Sequence, residues 1–187
     1  DGQPVSVTGP ITSTEALGDP DFVQPGPYVS LRRDVEQFAW IESQSSNSRS
    51  STGGSTTTQT TYTYATGWTA TPQASSGFRV PEGHDNPPMT VQSTRFVVPR
   101  AAVGAWNLDL AHVEFERGSV LPPTTIQRVG RGASFVPAGE HLFGGNGTPD
   151  APHLGDLRVR FTAVRNGTGR GSRPGPPRYR RSGRGRA

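Results

Sequence analysis

The best candidate polar cluster for chemistry is His84-Asp85-Asn86-Pro87. An imidazole beside a carboxylate binds divalent metals or moves protons near neutral pH. The same four residues also spell a turn, because Asp and Asn side chains bond nearby backbone and Pro fixes φ. The turn is the expected reading, and a metal-dependent or hydrolytic enzyme centred on His84 and Asp85 is its alternative. His112 and Glu114 are spaced as neighbours on one strand face, whereas His141 and His153 stand alone. The chain has no cysteine and no His-Glu-x-x-His pair, so thiolate and helical zinc sites are excluded and no cofactor is expected. Gly130-Arg131-Gly132-Ala133 and the run from Gly144 to Gly147 complete neither a dinucleotide fingerprint nor a P-loop, and read as turns. There is no Gly-x-Ser-x-Gly elbow for a serine nucleophile. Arg32-Arg33 beside Asp34 and Glu36 offers a grip on a carboxylate or phosphate, but alternating charges of this kind ordinarily form a solvated strand edge.

Elements must hold these residues in place, and the composition says which kind. The 187 residues are 30% hydrophobic, with 24 Gly and 18 Pro, which suits a β-rich, loop-rich body rather than a helical bundle. The fold expected is mainly β with a minor α contribution: an antiparallel sheet with a long hairpin, one short helix and a disordered C-terminal tail. Residues 3–8 alternate and predict a short strand. In 28–42, Leu31, Val35, Ala39 and Ile41 share one parity and Phe38 and Trp40 the other, which predicts a long strand partly covered on both faces. Residues 43–54 are Ser-rich and predict a mobile loop, and 56–69 resume with Thr, Tyr62, Tyr64 and Trp68 as the return strand. Phe38, Trp40, Tyr62, Tyr64 and Trp68 are expected to supply much of the buried aromatic surface. Residues 78–88 read as a connection, 89–98 as a strand and 134–136 as a brief strand. Val103, Trp106 and Leu110 at helical spacing predict a helix over 101–113. Leu157, Val159 and Phe161 face inward on a half-buried strand with Arg158 and Arg160 outward. That strand is expected to expose an unpaired edge and to favour self-association.

Charge divides the chain in two. All 19 basic residues are Arg, and all 15 acids lie at or before Asp156. Residues 1–164 hold eleven Arg against those fifteen acids, a net of −4, whereas 165–187 carry +8. The domain boundary is set accordingly at 164/165. The tail is rich in Arg, Gly and Pro and cannot offset its ordering entropy. Arg170, Arg173, Arg178, Arg180, Arg181, Arg184 and Arg186 make it a candidate polyanion-binding arm, and nucleic acid is expected to bind there only non-specifically. Asn146-Gly147-Thr148 and Asn166-Gly167-Thr168 fit N-glycosylation acceptors. An Arg-rich, Lys-free chain points to a GC-rich, bacterial source, where those acceptors have no use.

Several blocks occur together in a fixed order. They are Asp19-Pro20 with Phe22; Leu31-Arg32-Arg33 with Val35-Glu36 and Trp40-Ile41-Glu42; and residues 58–64 with Trp68 and Phe78. His84 with Asn86-Pro87 and Met89 follows, then Gly155-Asp156-Leu157-Arg158-Val159 with Phe161. In these blocks the chain resembles the transmembrane protein 43 (LUMA) family over roughly residues 3–162. The resemblance marks Arg32, Arg33, Glu36, Trp40, Glu42, His84, Asn86, Pro87, Asp156 and Arg158 as candidate motif residues. It implies the extracytoplasmic domain, periplasmic or lumenal, of a multi-pass membrane protein. It carries no established catalytic activity, and it implies a protein-binding or membrane-organising scaffold. Membrane attachment would come through family segments outside this chain, and the protein partners are not specified. After Val164 the Arg/Gly/Pro tail replaces the family's continuing strand and helices, so a truncated or frame-shifted end is expected there.

Overall fold

The computed structural model describes residues 9–50, 53–54, 56–108, 110 and 118–167. The strand expected over 3–8, the His112 and Glu114 pair and the tail from Thr168 onward lie outside the described residues. Within them the fold is mainly β and its strand pairs are antiparallel. The strands are β1 (Ile11–Thr12), β2 (Leu17–Asp19), β3 (Val23–Gly26), β4 (Tyr28–Ser50), β5 (Thr56–Thr69) and β6 (Thr94–Val97). They continue with β7 (Ala101–Val103), β8 (Trp106–Leu108), β9 (Ser119–Val120), β10 (Val136–Ala138), β11 (His141–Gly144) and β12 (Leu157–Arg165). The main sheet runs β10-β11-β12-β4-β5, with β6 added to β4 and β9 to β12. Two smaller sheets, β1-β7-β8 and β2-β3, complete the pairing.

β4 follows from its period of two. Val29, Leu31, Val35 and Ala39 are fully buried, while Arg32 is exposed and Asp34 and Glu36 are half-buried on the other face. β12 answers in register, with Val159 opposite Val35 and Leu157 opposite Gln37. Phe22, Phe135, Leu142 and Phe161 fill the core beneath the two strands. Phe22 meets Phe135 edge-on at 5.2 Å and Phe161 at 6.0 Å.

Pairing with β12 reaches along β4 only to Gln37, while pairing with β5 continues to Ser50 opposite Thr56. The hairpin therefore leaves the sheet as a two-stranded ribbon. On one face its hydroxyls bond across the strands, Ser46 to Thr60 at 3.2 Å and Ser48 to Thr58 at 2.9 Å.

Six expectations are corrected. Residues 43–50 are strand rather than loop, because Thr and Ser pair well across a pleated surface. The helix over 101–113 is replaced, on its described residues, by the β7–β8 hairpin. Gly104 at φ 58° opens a two-residue turn there, a conformation a helix interior does not allow. β12 is not an edge, since β4 flanks one side and β11 and β9 the other. The ribbon aromatics are only half-buried, and the fully buried rings are Phe22 and Phe161. Regular pairing within 89–98 covers only β6, and the brief strand expected at 134–136 is β10.

Candidate functional site around His84

The ribbon root carries the site. Trp40 and Glu42 on β4 and Tyr64 on β5 lie on one face, with Glu42 directly opposite Tyr64. The connection after β5 crosses this face, and three interactions hold it down. Glu42 Oε2 accepts the Tyr64 hydroxyl at 2.7 Å and the Arg79 N–H at 2.6 Å. The Tyr64 oxygen in turn accepts the Val80 N–H at 2.9 Å. Phe78 is buried edge-on to the Tyr64 ring at 5.9 Å. Desolvation, reinforced by the Glu42 carboxylate, raises the Tyr64 phenol above the usual tyrosine range.

His84 closes the box. Its ring stacks on Tyr64 at 4.0 Å and meets Trp40 edge-on at 4.8 Å. Its Nδ1 lies 3.0 Å from the Val80 carbonyl oxygen. Asp85 is exposed, and the hydrogen bond of His84 goes to Val80 rather than to that carboxylate. Among the described residues no group of three or more His, Cys, Asp or Glu is placed to hold a metal.

Asn86 substitutes for a neighbouring strand. Beyond the reach of β12, the β4 backbone bonds first to the chain at Gly155 and Asp156, through Phe38. At Trp40 the Asn86 side chain takes over. Its Oδ1 accepts the Trp40 N–H at 2.7 Å, and its Nδ2 donates to the Trp40 carbonyl at 2.9 Å and the Gln73 carbonyl at 3.0 Å. A primary amide is the only side chain that mimics a peptide unit in this way. Next to it the Pro87 carbonyl accepts Gln37 Nε2 at 2.8 Å, while Gln37 Oε1 is buried without a hydrogen-bond partner among the described residues. A shallow cleft of about 420 Å³ opens beside this loop, lined by Thr71, Gln73, Asn86, Pro88, Met89 and Gln92.

Of the motif residues, Trp40, Glu42, His84, Asn86 and Pro87 thus meet in one place. The others sit elsewhere. Arg32 pairs with Asp34 at 2.7 Å on the exposed face. Arg33 is not a solvated edge residue, because it shares the inward parity of Leu31 and Val35. It lies buried against Asp19 at 2.7 Å and between the rings of Phe22 and Phe96. Burial raises the Asp19 carboxyl above its ordinary range despite that guanidinium. Glu36 pairs with Arg158 at 2.6 Å, and the Arg158 guanidinium lies over Trp68. Asp156 gathers the turn at Gly144 to Gly147 by accepting the N–H groups of Asn146, Gly147 and His153. Sequence reasoning missed Tyr64 as a partner of His84. Its place in an alternating Thr/Tyr strand was the available signal.

A family model described as Transmembrane protein 43 matches residues 37–172. Transmembrane protein 43 of Rattus norvegicus is 27% identical over 163 residues, which cover 87% of this chain and 40% of the relative. The proteins of that name from Homo sapiens and Mus musculus are each 28% identical over 169 residues, with the same coverage. The chain spans 40% of the length of these relatives. No solved structure matches significantly.

Proposed function

We propose, because this chain belongs to the transmembrane protein 43 family, that it forms a non-catalytic extracytoplasmic domain of a membrane protein, a scaffold that binds protein partners or organises the membrane. The observation that supports this reading is the state of the motif side chains. Glu42, Tyr64, His84 and Asn86 bond to one another or to backbone and lock a loop onto a strand pair. Residues used in this way fix the shape of a surface. Among the described residues no helix is long and apolar enough to cross a membrane. On this reading the spanning segments belong to the part of the relatives that this chain does not cover.

The chain has no cysteine, so one introduced thiol gives an unambiguous label within it. Ser46→Cys on the exposed ribbon, placed in the full-length protein in intact cells or vesicles, is expected to react with a membrane-impermeant maleimide from the extracytoplasmic side. Reaction only from the cytoplasmic side would overturn the topology. A metal-dependent hydrolysis abolished by His84→Ala with the fold intact would instead place the protein among enzymes.

A further inference from the structure

The two ends of the main sheet are built differently. At one end β10 is three residues long and contains Pro137, two ordinary guards against the addition of a further strand. At the other end β5 runs for 14 residues and pairs with β4 without a register shift. Along Thr56–Thr69 there is no charged residue, no Pro and no bulge, so the devices that protect a sheet edge are missing. The backbone of this edge is also directed outward. Phe38 and Trp40 bond away from β5, to Gly155 and Asp156 and to Asn86, so the odd residues of β4 bond the odd residues of β5. The N–H and C=O groups of the even residues from Thr58 to Trp68 therefore point off the sheet, and no described residue bonds them. The opposite edge of the ribbon, on β4, is closed at its root by Asn86 and carries Glu42 and Arg49.

The strand that fits this edge is β5 itself. Turned about a two-fold axis, a second β5 lies antiparallel to the first, with even residues bonding even residues across the seam. No like charges meet there, and Thr and Tyr face Thr and Tyr, pairs that stabilise a ladder. The ribbon supplies the driving force. Beyond the reach of β12 it is two-stranded and exposed, and a lone two-stranded ribbon is marginal in water, whereas two joined edge to edge make four strands. Both β5 edges are consumed, so the assembly closes as a dimer and does not grow into a fibre. We infer that two copies of this chain associate by antiparallel β5–β5 pairing, which joins their main sheets into one. The contact is not the one expected at β12, whose two sides are both paired within the chain. It stands on the β5 edge alone and goes beyond the scaffold reading.

Sedimentation equilibrium of the full 187-residue chain over a concentration series is expected to show a reversible monomer–dimer equilibrium. As the dimer fills, hydrogen exchange is expected to slow at the amides of Thr58, Thr60, Tyr62 and Thr66. Gln59, Thr61 and Thr63, already bonded to β4, should change less. Thr60→Pro removes an outward N–H and keeps the pairing with β4, because Pro is tolerated where the N–H faces off an edge strand. It is expected to weaken dimerisation roughly tenfold, since the substitution enters the pair twice. The exchange pattern is read on the parent alone and holds whether or not the variant folds. A chain that stays monomeric up to about 1 mM overturns the inference. So does a dimer whose even β5 amides remain open, or a folded Thr60→Pro that associates as well as the parent. Slowing of those amides only on addition of an uncharged Thr-rich peptide would give the edge another occupant and overturn the second copy. None of these results touches the maleimide labelling of Ser46→Cys, which tests the domain reading separately.

Discussion

Asn86 shows how much a single side chain can carry here. Its amide both accepts from and donates to the Trp40 backbone, so Asn86→Asp keeps the acceptor, loses the donors and sets a carboxylate against two carbonyls. The expected cost is about 1–3 kcal/mol in urea unfolding. A change within about 0.5 kcal/mol would reduce Asn86 to loop decoration. Arg33 makes a second case. Arg33→Met strands Asp19 in the core and should cost about 3–5 kcal/mol, and adding Asp19→Asn should recover most of the loss. A double variant as unstable as the single one would show that the guanidinium matters for packing rather than charge. The two residues differ in legibility. Arg33 sits at an inward position of a strand whose period is plain, so its burial could be read from Leu31 and Val35. Asn86 could not be read in this way, because its partner is 46 residues away and a turn explains the local string Asp-Asn-Pro equally well.

At the scale of elements, β4 and β12 were legible because each buries alternate residues over a long run. The β7–β8 hairpin was not, since three apolar residues fell at helical spacing by coincidence and Gly104 outweighed them. The distal ribbon invites a loop reading because Ser is common in loops, yet a Thr-rich partner strand makes it a ladder. That ladder exposes both faces, and a lone two-stranded hairpin is marginal in water. The Trp40 backbone points at Asn86, away from β5, so the odd residues of β4 hydrogen-bond to β5 and Ser43 opposite Thr63 is a proper closing pair. Replacing residues 44–62 with Asn-Gly at that pair should shift stability by no more than about 1 kcal/mol, since loop and ribbon entropy change slowly with length. A loss above about 3 kcal/mol, or loss of the near-UV signal from Trp40 and Trp68, would make the ribbon part of the cooperative unit.

Over the whole molecule, long-range contacts set both the pH response and the closure of the fold. His141 lies on the charged face of the sheet, where desolvation and then the Arg158 charge lower its pKa. The unfolded chain therefore takes up a proton more readily than the native state as pH falls below the ordinary histidine value of 6.5. Stability present above that value should decline between about pH 7 and pH 5, and His141→Gln should remove part of the slope. An unchanged slope in the variant would place the titration elsewhere. Closure depends on Asn166, whose side chain accepts the Ser13 N–H at 3.0 Å and donates to the Ser13 carbonyl. Its backbone N–H bonds Pro27, and Gly167 bonds Ile11. The contacts to Ser13 and Ile11 span more than 150 residues of sequence, and no local pattern foretells them. They continue the contacts of the chain beyond Arg165, the last residue of β12. They also fasten β1, and through it β7 and β8, to the end of β12. Asn166→Ala removes both side-chain bonds at a half-buried site and should cost about 1–3 kcal/mol. The loss should appear first as faster hydrogen exchange at Ile11, Val103 and Trp106, ahead of the β4–β12 pair, because this clasp ties the small sheet to the end of β12. Uniform acceleration across both sheets would show instead that the clasp belongs to the global unfolding unit.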